Sequence, residues 1–92
     1  KLAAIIVSGD NQNKTEKVAY MLGKTAPNTE HTSTLGPAVA PLFMIRGKYR
    51  YRLLLKTAKN INIQDIIKKW LSMVEIPANV RVKVDINPYS FM

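Results

Sequence analysis

Five Lys or Arg residues crowd into the eleven positions of RGKYRYRLLLK (46–56), with two tyrosines between them and three leucines behind. Side-chain cations at this density are suited to one chemistry above others, contact with a line of anions such as a phosphodiester backbone. Flat rings beside them could add base stacking, worth about 1–3 kcal/mol per base in single-strand binding. The candidate nucleic-acid-binding residues are Arg46, Lys48, Tyr49, Arg50, Tyr51, Arg52, Lys56 and Lys59, joined by Arg81 and Lys83 from a later stretch.

The charge distribution supports this choice. The formal net charge is +8. Residues 1–45 contribute +1, residues 61–92 contribute +1, and Arg46 to Lys59 contributes +6 with no acid. One segment therefore carries the electrostatics, as an anion-docking surface requires.

Other chemistry is missing from the sequence. There is no cysteine, hence no disulfide framework, thiol nucleophile or zinc knuckle, and His31 is the lone histidine. The glycines are scattered rather than arranged as a phosphate loop. The six carboxylates are dispersed, and Ser8, Ser33, Ser72 and Ser90 have no plausible histidine partner nearby in sequence. The chain reads as non-catalytic. Its apolar runs fall well short of the roughly 18 residues of a membrane span. A cysteine-free basic chain suits a reducing cytoplasm.

Positioning the cations requires a fold. LAAIIVS (2–8) is a continuous apolar run, the pattern of a central strand. Next comes a helix through Val18, Ala19 and Leu22, capped by Asn13 with Glu16 at capping-box spacing or by Asp10. In LGPAVAPLFMI, Pro37 and Pro41 cannot donate to a ladder, which predicts an edge strand. Gly47-Lys48 has the composition of a type II′ hairpin turn, which would set Arg46 opposite Tyr49, Met44 opposite Tyr51 and Leu42 opposite Leu53.

The strand YRYRLLLKTA alternates, with Tyr49, Tyr51, Leu53 and Leu55 on one side and Arg50, Arg52, Leu54 and Lys56 on the other. Ile63, Ile66, Ile67, Trp70, Leu71 and Val74 mark the strongest helical stripe, with Asn62 as its cap and Pro77 beyond it. VRVKVDI then alternates strictly, Arg81, Lys83 and Asp85 facing out. The order β-α-β-β-α-β is that of an α+β, ferredoxin-like split, a four-stranded sheet with two helices on one face. Its open face would carry Arg50, Arg52, Lys56, Arg81 and Lys83, and by the hairpin register Phe43 and Ile45 as well. The tyrosines have two readings: stacking rings on an overhanging hairpin, or core residues under the helices.

LGPAVAPLFMIRGKYRYRLLLK (35–56) together with VDINPYSFM (84–92) resembles the C-terminal domain family of primosomal protein N′, the bacterial replication-restart helicase. The order of pieces matches across nearly all of the chain, including the opening IIVSG. Val39, Lys48 and Asn87 stand where Pro, Arg and Asp are usual in that family. Arg46, Lys48, Tyr49, Arg50, Tyr51, Arg52 and Lys56 match its basic hairpin.

The resemblance implies that residues 1–92 are a single DNA-binding accessory domain, cut from a longer helicase, as the start at Lys1 directly before a strand also suggests. The parent would carry ATP-driven 3′-to-5′ helicase lobes using ATP and magnesium, a zinc-binding insertion and an N-terminal DNA-binding domain. No cofactor is expected in this domain. The implied partners are single-stranded and fork DNA and the parent's remaining domains, with no membrane. Alternative roles are docking onto the helicase lobes or engaging the acidic tail of single-stranded DNA-binding protein.

Overall fold

The computed structural model describes residues 1–86, without the side chains of Pro41 and Leu42. The opening apolar run is strand β1 (Leu2–Gly9), with Ala3, Ala4, Ile5 and Val7 fully buried. Helix α1 (Gln12–Lys24) follows at once. Its cap is Asn11, whose Oδ1 accepts from the Lys14 N–H at 3.0 Å, not Asn13 or Asp10 as the capping-box spacing suggested. The helix starts two residues earlier than that motif requires, because Asn11 is extended and close enough to satisfy an orphan amide itself.

Strands β2 (Thr32–Ile45) and β3 (Lys48–Thr57) form the hairpin, α2 (Ile63–Ser72) crosses back, and β4 (Val80–Ile86) completes the described elements. Asn62 caps α2 as expected, accepting from the Asp65 N–H at 3.2 Å. The chain is α+β. Its strands pair antiparallel in the order β2-β3-β1-β4, so β1 is internal and the proline-bearing β2 lies at an edge.

One face of this sheet holds the core. Ile5, Val7, Leu53, Leu55 and Val80 pack with Val18, Ala19 and Leu22 of α1 and Ile63, Ile67 and Trp70 of α2 in a single cluster. Each such aliphatic side chain contributes about 1.5–3 kcal/mol by leaving water. Trp70 is the largest fully buried residue, and its indole Nε1–H donates to the Leu22 carbonyl at 3.0 Å. That bond supplies a donor to one of the last carbonyls of α1, which lack partners within their own helix. The two helices are thus joined by packing and by a buried hydrogen bond.

The hairpin differs from expectation. The two-residue loop is Arg46-Gly47, both at positive φ (52° and 77°), and Ile45 pairs with Lys48. Two left-handed residues make a type I′ turn, whose twist matches that of the flanking strands. Tyr49 therefore faces Met44 rather than Arg46, and Tyr51 faces Val39 rather than Met44. The expected pairing of Leu42 with Leu53 gives way to another register, in which the β2 partners of Leu54 and Arg52 are Leu35 and Ala38. Register shifts between Leu35 and Ala38 and between Val39 and Met44 fall around Pro37 and Pro41, where the missing amides interrupt the ladder.

Candidate nucleic-acid interface

The basic face is assembled by register. Residues directly opposite in an antiparallel pair share a face, and alternate residues along a strand return to it. On β1 the side away from the helices carries Ala4, Ile6 and Ser8. Ser8 lies between Arg50 of β3 and Arg81 of β4. One row along, Ile6 lies between Arg52 and Lys83. Next, Ala4 lies between Leu54 and Asp85, and Leu2 then faces Lys56.

Two ridges of cations therefore flank a floor of smaller side chains. Adjacent strands lie about 4.8 Å apart, so the β3 and β4 ridges are separated by about 10 Å. Successive rows on one face are about 6.8 Å apart. Arg81 and Lys83 are exposed, while Arg50 and Arg52 are half-buried along their length.

The six cations of the basic segment do not form one cluster. Arg46 is exposed in the hairpin turn, whereas Lys59 is exposed in the turn beyond the far end of β3. A ten-residue strand separates them, a distance of about 30 Å in extended chain. Lys48 is exposed at the hairpin end, its Nζ 3.9 Å from Asp10 Oδ2. An exposed pair at that distance contributes little stability, but it offsets one positive charge at that end. Lys56 is exposed two rows beyond Arg52.

The aromatic candidates are on the other side. Tyr51 is only 6% exposed and belongs to the core beneath the helices. Its phenol donates to Glu16 Oε2 at 3.0 Å. Burial, above all, pushes its pKa above the ordinary tyrosine value, with the Glu16 carboxylate adding to the effect. The ring is engaged by its own core and is not presented to a base. Tyr49 is half-buried, its ring centroid 5.5 Å from that of Phe43, which also meets Tyr51 edge-on at 5.4 Å.

Phe43 is therefore not on the basic face. The irregularity between Val39 and Met44 turns it toward the tyrosines, whereas Ile45, opposite Lys48, stays on the basic side. Among the described residues the basic face carries no aromatic ring.

Two features were not picked out from sequence. Ser8 emerges at the centre of the cationic rows, although the alternation of LAAIIVSG already sets it on the face opposite Ile5. A shallow hollow of about 230 Å³ opens beside it, lined by Ser8, Lys48, Asn79 and Arg81, with Asp10 at its edge. Asp10 and Lys48 come together because β1 and β3 pair through Gly9 and Tyr49, the positions just before and just after them. No group of three or more possible metal ligands exists among the described residues, and none of their helices is long and apolar enough to cross a membrane.

A family model described as "Primosomal protein N C-terminal domain" matches residues 1–89. Over 91 residues, 99% of this chain, the sequence is 40% identical to the "Replication restart protein PriA" of Rickettsia felis, and the match covers 14% of that protein. The protein of the same name from Rickettsia typhi is 38% identical over the same share. That of Bacillus subtilis is 32% identical over 98 residues, 12% of its length. The chain thus spans no more than 14% of the length of these relatives.

Proposed function

The chain belongs to the primosomal protein N C-terminal domain family, and from that premise we propose that it is a DNA-binding accessory domain of a cytoplasmic replication-restart helicase. In this reading the split β-α-β-β-α-β, ferredoxin-like sheet is a scaffold, and its helix-free face holds the phosphate backbone of single-stranded or fork DNA. The observation that carries the reading is the convergence of Arg50 and Arg52 from β3 with Arg81 and Lys83 from β4, across β1.

Binding of this kind works by release of counterions from the polynucleotide and is independent of base sequence. It also fits the aromatic residues, since Tyr49, Tyr51 and Phe43 are committed to one another and to the core side. The domain performs no chemistry. ATP hydrolysis with magnesium, and a zinc site, are assigned to the rest of the parent protein.

The test is fluorescence anisotropy of the chain with labelled single-stranded, duplex and forked DNA over a salt series. Affinity should fall with salt, and Arg50→Glu with Arg52→Glu should lower the single-strand log–log slope by about 1.4, two contacts at about 0.7 each. Absence of binding at moderate salt would overturn the proposal and leave the basic face to meet an acidic protein surface instead.

A further inference from the structure

Resting on that DNA-binding reading, we infer that the backbone of one unpaired strand runs lengthwise over β1, in a track between the β3 and β4 ridges that is bounded by carboxylates. The register sets the direction. Along β1, the rows at Ser8 and Ile6 each offer a cation on both sides: Arg50 with Arg81, then Arg52 with Lys83. Across the sheet the cations stop at β3, because β2 presents Ser33, Leu35 and Ala38 opposite Lys56, Leu54 and Arg52. A backbone crossing the strands would leave its positive partners after one step. A backbone following β1 keeps them on both flanks.

The same register limits the track. At the row beyond Ile6, the β4 ridge changes sign at Asp85, opposite Ala4. At the other end Asp10 lies 3.9 Å from Lys48. The doubly cationic stretch is therefore two rows long, about 7 Å, with four cations flanking one backbone. A duplex lying on this face would present a second backbone over β2, where the described residues supply no cation. In this track the bases project away from the sheet, because the cations on both flanks hold the phosphates against it. The ligand is thus a phosphodiester line read without regard to base, and Asp85 sets its length.

The experiment adds one cation in each direction. Asp85→Lys prolongs the β4 ridge along β1, and Ala38→Lys, exposed and paired with Arg52, prolongs a row across the sheet. Each is titrated with labelled oligodeoxythymidylate and with a duplex of equal length over a salt series, with thermal unfolding recorded to show that each variant is folded. Asp85→Lys should steepen the single-strand slope by about 0.7, one added contact, while Ala38→Lys leaves it unchanged. Asp85→Asn, which keeps the size and removes the charge, should tighten binding of the single strand.

A rise with Ala38→Lys alone, equal rises in both, or a rise in neither would overturn the lengthwise track. Binding of the duplex as tight as that of the single strand would overturn the single-backbone assignment. Failure of the unaltered chain to bind any DNA would instead reject the function on which the track rests.

Discussion

Removing the same number of charges from two different places separates a site from a net charge. Arg81→Gln with Lys83→Gln strips the β4 ridge, and Lys68→Gln with Lys69→Gln strips the exposed side of α2, on the opposite face of the sheet. All four residues are exposed, so each pair should leave stability within about 0.5 kcal/mol per substitution. Both variants have the same formal charge. If Arg81 and Lys83 each neutralise one phosphate, the single-strand slope should fall by about 1.4 in the ridge variant. Over a fourfold rise in salt, from 50 to 200 mM, the affinity gap to the unaltered chain should narrow by about sevenfold on the same relation. The helix variant should keep the original slope. The assay is anisotropy of labelled oligodeoxythymidylate, titrated at four or more salt concentrations. Equal falls in both variants would refute the argument, showing that total charge matters and the register does not. An unchanged slope in the ridge variant would refute it too.

Three further outcomes follow from the core and the caps. Trp70→Phe removes the indole donor from Leu22 and leaves unfilled volume, so urea unfolding should show a loss of about 2–3 kcal/mol with no change in the DNA slope. Tyr51→Phe should cost about 1 kcal/mol at neutral pH through loss of the bond to the exposed Glu16. Because folding raises the Tyr51 pKa, its neutral form is favoured, and that stabilisation is complete below about pH 10 and lost as pH climbs through the folded value. The gap in stability between the unaltered chain and Tyr51→Phe should therefore shrink above pH 10 in unfolding experiments. Asn62→Ala removes the cap of α2 and should lower stability by about 1 kcal/mol in the same measurement.

Much of the architecture was legible because it is written in local periods. The alternation in YRYRLLLK and VRVKVDI assigns every side chain of β3 and β4 to its observed face, and the stripe through Ile63, Ile67 and Trp70 marks the buried side of α2. Pro37 and Pro41 pointed to the edge position of β2 for the same local reason, the missing donor. The errors arose where two local rules compete. Gly47-Lys48 and Arg46-Gly47 both satisfy hairpin composition, and the choice rests on strand twist and on which ladder the rest of β2 can keep. The irregularity between Val39 and Met44, not the turn, moved Phe43 away from the basic side. The resemblance resting partly on VDINPYSFM falls in part outside the described residues, including the departure at Asn87.

By itself, the chain's sequence determined that residues 46–59 carry the charge, that the chain alternates helices with strands, and that its arginines and tyrosines part to opposite faces of β3. These follow from composition and from the two-residue period of a strand. Only the tertiary structure decided which cations become neighbours. Pairing on both sides of β1 draws Arg81 and Lys83 up to Ser8 and Ile6, while the length of β3 carries Arg46 and Lys59 to opposite ends. Proximity along the chain is a matter of bonds, but proximity in a sheet is a matter of register. An anion line responds to the second.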